Sequence, residues 1–283
     1  MLASKHSNGN LQIMLFIKTA RPWLWLPLFG AVSMVSMIAK LPLSEWMGAA
    51  VLLCTIMTSA FFVNDWMDEK IDLANGKSRW TPRTTLHQVA ILALVGFATI
   101  GSFLFVQSWW TSVSLIVILT ASLAYSLGAK RIPAAAAAIV ATVGCSPLYI
   151  FWSATWGHFS TIQLVFYLLI IGILWLHLFF KENWFDQFDI EGDIQAGRHT
   201  LASELNPSLF RTVLRAIGIA ICILIATCII LSPTAWSLVL GSSLIGLHIS
   251  FIQKNVTRMH MTLGSLAVIF LGMALAFELI VGL

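Results

Sequence analysis

From Pro22 onward the chain alternates between apolar runs of roughly 18 to 22 residues and short polar connections. The runs fall at about 22–40, 46–64, 86–106, 110–128, 132–152, 161–181, 209–231, 233–252 and 261–281. Each is long enough to cross about 30 Å of hydrocarbon as a helix and too long for a barrel strand. None alternates strictly between apolar and polar positions. Helices are then the only way to satisfy the backbone in lipid. The pattern predicts an all-α membrane protein of nine transmembrane helices in a single polytopic domain over residues 1–283. Residues 1–21 form a tail, and 65–85 and 182–208 are the two longest polar loops.

Composition strengthens this reading. The chain has 283 residues, 59% hydrophobic and only 10% charged, with a mean hydropathy of +0.89. Polar residues are too few to coat a soluble globule of this size, so the lipid bilayer is the expected partner of most of the surface. Lys5, Lys18 and Arg21 lead into a full-length first span with no small-residue cleavage pattern, so that span is expected to stay as a membrane helix. Cys54, Cys145, Cys222 and Cys228 all fall inside predicted spans without metal-ligand spacing, and read as small buried apolar residues.

Charge sorts by side. Of sixteen Lys and Arg residues, fifteen lie in the tail or the even-numbered connections, and only Lys40 lies in an odd one. The positive-inside rule therefore puts the N-terminus in the cytoplasm. The net charge of +4 needs no nucleic acid to explain it, since topology and anionic lipid account for it. Nine of the twelve acids lie in two clusters, Asp65, Asp68, Glu69, Asp72 and Glu182, Asp186, Asp189, Glu191, Asp193. They follow spans two and six, which run in the same direction, so both clusters are expected at the cytoplasmic face.

Asp65, Asp68 and Asp72 are spaced i, i+3, i+7, and Asp186, Asp189 and Asp193 repeat that spacing. On a helix each trio forms one stripe of carboxylates. Like charges so arranged repel and call for a cation. Hard oxygen ligands with room for water suit Mg²⁺, which usually takes one or two carboxylates and completes its shell with phosphate oxygens and water. A single acid cluster at a helix end is most often just solvated. Two with the same spacing, on one side of a chain nearly devoid of other acids, are candidates for function. Lys130 and Arg131 after Tyr125, and Lys77, Arg79 and Arg83 after the first cluster, supply the positive charge that a leaving diphosphate requires. The apolar bundle suits a long hydrocarbon tail. The expected substrate is an isoprenoid diphosphate ionised to an allylic cation. Trp23, Trp25, Trp66 and Trp184 lie near the inner ends, where aromatic faces stabilise cations but more often anchor or pack.

At these residues the chain resembles the UbiA-type intramembrane prenyltransferase superfamily. "NDWMDEKID" is similar to its first motif, with Asn64, Asp65, Asp68 and Asp72 in the matching places. "DQFDIEGDIQAGRHTLA" is similar to its second, matched by Asp186, Asp189, Gly192, Asp193, Gly197, Thr200 and Leu201. "AYSLGAKR" resembles the tyrosine and basic pair after the fourth helix, giving Tyr125, Lys130 and Arg131. The resemblance implies a helical bundle around a central cavity capped by two cytoplasmic loops. It implies that Asp65, Asp68, Asp72, Asp186, Asp189 and Asp193 are the catalytic residues that hold Mg²⁺, the expected cofactor, together with the diphosphate. It also implies that Asn64, Tyr125, Lys130 and Arg131 steady the phosphate oxygens, with Lys77 and Arg79 assigned to the same task on their charge and position. The Glu-Gly-Asp form of the second motif is similar to the branch acting on homogentisate, chlorophyllide or glyceryl phosphate acceptors. One stretch departs from the pattern. In "GKSRWTPRTTLH", Trp80 and Thr81 separate Arg79 from Pro82, and the family's glycine turn is missing.

The expected activity is Mg²⁺-assisted transfer of a prenyl group from a polyprenyl diphosphate to a small aromatic acceptor. The altered loop leaves a second reading open, a membrane terpene cyclase of the same fold acting without a separate acceptor. A cation transporter would need ionisable groups deep along a pathway, where the chain offers little beyond His177 and His248, read as helix–helix partners. The expected location is a bacterial or archaeal inner membrane, with the site toward the cytoplasm.

Overall fold

Helix α1, Leu43–Ala74, continues well past the apolar run that predicts it. Its apolar part, 43–63, spans about 31 Å at 1.5 Å per residue, the thickness of the hydrocarbon layer. Asn64 and Asp65 therefore begin the part of the same helix that emerges from lipid. The computed structural model describes residues 17, 20, 32, 42–74, 85–104, 106, 108–154, 160–195, 197–231 and 235–252, and no strand occurs among them. The predicted spans 22–40 and 261–281 lie outside the described residues, apart from Val32.

The remaining helices are α2 Thr85–Leu104, α3 Trp109–Leu127, α4 Ala135–Gly144, α5 Ser146–Ala154, α6 Thr161–Asp186, α7 Ile190–Gln195, α8 Leu201–Glu204, α9 Pro207–Leu231 and α10 Ala235–Ile252. Among the described residues, four segments, Leu43–Asp68, Trp109–Leu127, Leu164–Asp186 and Pro207–Leu231, are long and apolar enough to cross a membrane. The run predicted as one helix over 132–152 is two, α4 and α5, broken at Cys145. Pro147 lacks the N–H that would continue the ladder to Val143, and its ring clashes with that carbonyl, so the helix must restart there.

Packing divides the described residues into two halves. In the first, α1 packs on α2 and α3 through residues such as Leu52, Leu53, Ile56, Leu115 and Ile118. In the second, α6 packs on α4 and α9, and α9 on α10, around Tyr167, Phe180, Leu214, Ile221 and Ile225. Helix α9 shows the membrane logic well. Phe210, Leu214, Gly218, Ile221, Ile225 and Cys228 face inward, while Leu209, Ile219, Ile223, Ile230 and Leu231 are exposed. A helix apolar on both faces belongs against lipid.

Polar side chains inside this bundle satisfy themselves locally or tie helices together. Thr58 Oγ1 donates to the Cys54 carbonyl at 2.8 Å, and Ser102 Oγ to the Ala98 carbonyl at 2.7 Å. Ser126 Oγ on α3 donates to the Ala60 carbonyl on α1 at 3.3 Å. Trp175 Nε1 on α6 donates to Thr142 Oγ1 on α4 at 3.0 Å. The Tyr167 hydroxyl donates to the Leu148 carbonyl, joining α6 to α5. All four cysteines are free thiols.

Candidate functional site

The first acid row is the helical stripe that its spacing predicts. Asp65 and Asp68 lie one turn apart in the body of α1, and both are buried, Asp68 to 2% exposure. Asp72 continues the same helix, and its side chain lies outside the description. Asn64 precedes them in the same helix, partly buried.

The second row is not a stripe, which corrects the expectation of one. Helix α6 ends at Asp186, the chain turns through Gln187–Asp189, and α7 starts at Ile190. Asp189 sits where the N-cap of α7 belongs, its carbonyl accepting from the Asp193 amide at 2.9 Å. Its side chain is exposed, whereas Asp193, on the short helix, is 5% exposed. Asp186 lies within electrostatic reach of Asp193, Glu182 and Asp189. Equal spacing in the two motifs thus arises from different backbones.

The end of α7 brings in a residue that sequence reasoning counted only toward topology. The Gly197 amide donates to the Ile194 carbonyl at 3.0 Å and the Arg198 amide to the Asp193 carbonyl at 2.8 Å. This pair of bonds is a Schellman stop, with Gly197 at φ 65° in the left-handed region. The turn sends Arg198 back over its own helix. Arg198 Nη2 donates to Asp68 Oδ2 at 2.5 Å, and Nη1 lies 3.5 Å from Asp193 Oδ1. One guanidinium therefore joins the two acid rows across 130 residues of chain. Burial opposes the Arg198 charge, but Asp68 above all, with Tyr125 and Asp193, more than offsets it and raises its pKa above the ordinary arginine value. The signal in the sequence is a glycine followed by a base, four and five residues after Asp193, where a helix stop folds the base onto the acid.

Tyr125, near the end of α3, completes the ring. It lies within electrostatic reach of Glu182, Arg198, Asp68 and Asp186. The C-terminal ends of α1, α3 and α6 therefore meet on one side of the bundle, with α7 resting on α1. Glu182, absent from the predicted site, belongs to this ring. Arg131 is exposed on the 3₁₀ turn Ala129–Arg131, and the Lys130 side chain lies outside the description. Lys77 and Arg79, with Trp23 and Trp25, lie outside the described residues. Trp184 is buried edge-on between Phe185 and Phe188, and Trp66 packs with Phe62, Val63 and Ile91, so both serve packing. His177 and His248 lie away from this ring, buried and 3.4 Å apart between α6 and α10.

The ring's chemistry is that of hard oxygen donors beside an arginine. Among the described residues, no three His, Cys, Asp or Glu side chains are gathered closely enough to hold one metal ion by themselves. Mg²⁺ does not require that, since it takes one or two carboxylates and completes its shell elsewhere. Buried carboxylates from two facing elements, bridged by one guanidinium, fit ions whose remaining ligands come from a phosphate.

Comparison with known proteins follows from this geometry. The model of the UbiA prenyltransferase family matches residues 24–278. No curated protein sequence matches the chain significantly. Among solved structures, a UbiA homologue from Archaeoglobus fulgidus bound to DMAPP and Mg²⁺ superposes with TM-score 0.68 at 14% identity, covering 95% of this chain and 99% of that one. A UbiA homologue from Aeropyrum pernix K1, in its apo form, gives TM-score 0.69 at 15% identity, covering 89% and 96%. A digeranylgeranylglyceryl phosphate synthase gives 0.68 at 15% identity, covering 94% and 99%. At these identities the likeness shows the fold.

Proposed function

The chain belongs to the UbiA prenyltransferase family, and from that premise we propose that it moves a prenyl group from a polyprenyl diphosphate to a small aromatic acceptor within the membrane. The observation that carries this reading is the Asp68–Arg198–Asp193 bridge, which draws both acid motifs to one place. Relatives of this fold are described as bound to GPP and Mg²⁺ and to DMAPP and Mg²⁺, which supports the same donor and ion here.

Asp65, Asp68 and Asp72 on one side, and Asp186, Asp189 and Asp193 on the other, would hold Mg²⁺ with the diphosphate. The ion, when bound, neutralises charge on the leaving diphosphate. Asn64, Tyr125, Lys130 and Arg131, with Lys77 and Arg79 from the neighbouring loop, orient the phosphate oxygens and add donors where negative charge grows. The C1–O bond of the donor breaks with its electron pair leaving on diphosphate. The acceptor carbon forms the new bond to C1, and loss of its proton restores the ring. The apolar bundle excludes water from the cation. The altered "GKSRWTPRTTLH" loop bears on the acceptor and on whether one is needed.

Purified full-length protein incubated with prenyl diphosphates of several lengths, with and without hydroxyaromatic acids, tests the reading. We expect Mg²⁺-dependent diphosphate release and a prenylated aromatic product by mass spectrometry. Asp68→Asn is expected to lower turnover by at least about 100-fold, the scale of losing a transition-state charge stabiliser. Near-normal turnover of that variant, properly inserted, contradicts the assignment. A hydrocarbon or terpene alcohol made without acceptor favours cyclisation instead.

A further inference from the structure

The ion pairs of Arg198 leave part of its guanidinium unsatisfied. Its Nη2 and Nη1 engage Asp68 and Asp193, one carboxylate from each row. Its Nε is buried and has no hydrogen-bond partner among the described residues. A buried, charged N–H without an acceptor is unfavourable by more than a neutral one. In a guanidinium, Nε–H and an Nη–H share one edge, and that edge matches two oxygens of a phosphate. Two carboxylates from separate helices cannot both sit on it. An anion carrying several oxygens in a small volume can.

The contact with Asp68 has a second consequence. At 2.5 Å the positive guanidinium occupies one acceptor site of Asp68 and offsets its charge, and its own charge repels an incoming divalent cation. Arginine and metal ion therefore compete, charge against charge, for the same carboxylate as long as no diphosphate is present. Once a diphosphate sits between the rows, the same arginine has a better acceptor, and the competition turns into cooperation.

We infer that Arg198 is a displaceable counterion of the acid rows and a ligand of the diphosphate. It holds Asp68 and Asp193 together before substrate arrives, opposes binding of a bare divalent cation, and turns to the diphosphate when metal-bound substrate takes the carboxylates. This rests on the diphosphate reading of the site. Arg198 is on that account a positioning residue toward the acids and a binding residue toward the substrate. Its placement comes from the Gly197 stop, so the device is built into the backbone of the second motif.

The two roles have opposite signs, and that makes them measurable. Full-length protein in detergent is titrated with Mn²⁺, followed by its electron paramagnetic resonance signal, first alone and then with inorganic pyrophosphate. Relative to wild type, Arg198→Gln should bind Mn²⁺ alone more tightly and Mn²⁺-pyrophosphate more weakly, each by on the order of tenfold, the scale of one charge-assisted hydrogen bond. Arg198→Lys keeps the charge and loses the planar edge. It should bind Mn²⁺ alone as wild type does and pyrophosphate more weakly. Loss of both affinities in Arg198→Gln, or change in neither, overturns the inference. Should Arg198→Gln fail to fold, wild-type pyrophosphate affinity in Arg198→Lys overturns it equally. Asp68→Asn serves as the site control: if wild type binds Mn²⁺-pyrophosphate no better than this variant, the diphosphate reading itself falls.

Discussion

A carboxylate buried as deeply as Asp68 needs a counter-charge, and the chain supplies one from 130 residues away through a single glycine turn. Gly197 is the residue on which that delivery depends. A Cβ there would meet nothing within 4 Å, so the cost of substitution is conformational alone. Gly197→Ala should destabilise the protein by about 1 kcal/mol, the penalty for an L-residue in the left-handed region. It should also weaken pyrophosphate binding, because the stop aims Arg198. Thermal unfolding beside a pyrophosphate titration checks both. An unchanged melting temperature would mean that the turn relaxes freely. Asp65, Asp68 and Asp193 were legible in the sequence because acids are rare in it and their spacing is regular. Arg198 was not, because nothing in a linear count of charges shows that a Schellman stop folds a base onto its own helix.

At the scale of elements, periodicity tells where apolar helices run and says less about where they stop. The break between α4 and α5 follows from Pro147, a readable signal. The break between α6 and α7 has no proline or glycine to announce it; the acidic residues there continue an i, i+3, i+7 pattern across a real turn. Among the contacts between elements, the buried His177–His248 pair links α6 to α10, as expected of polar residues inside a bundle. His248 Nδ1 lies 2.8 Å from the Leu244 carbonyl, which makes its Nε2 the acceptor for His177. A double-mutant cycle with His177→Leu and His248→Leu should give a coupling of about 0.6 kcal/mol, the mean for polar pairs inside membranes. Additive losses would place the pair's worth in packing alone. Gly241 marks a further close approach in this half. A Cβ there would lie 2.7 Å from Ile229 Cδ1 and 3.1 Å from Ile225 Cγ2, so α9 and α10 meet through a missing side chain. Gly241→Val should lower the melting temperature by more than a substitution at Gly246, where nothing lies within 4 Å.

Over the whole molecule, one end differs from the rest. The helices present apolar faces outward, including Leu92, Ile100, Val117, Ile223 and Ile230, as lipid requires. Among the described residues, the buried carboxylates Asp65, Asp68 and Asp193 gather where α1, α3 and α6 end together, and Glu45, also buried, lies at the opposite end of α1. Parity of the apolar runs anticipated this meeting, since three helices running the same way must end on the same side. The assignment of that side to the cytoplasm rests on the sorting of Lys and Arg residues, and protection of single cysteines placed in the 197–206 loop from an impermeant thiol reagent measures it. Labelling from the cytoplasmic side is expected. Labelling only from the opposite side would reverse the topology.

The central claim is that the two acid rows act as one site on one diphosphate. Residues that act as a unit show non-additive losses. The direct measurement is diphosphate release by wild type, Asp68→Asn, Asp193→Asn and the double variant, each inserted in lipid. The account predicts that either single substitution costs at least about 100-fold in kcat/KM, and that the double variant is hardly worse than the poorer single one. Losses that multiply in the double variant, or a single variant with nearly full activity, would show two independent acid clusters and contradict it.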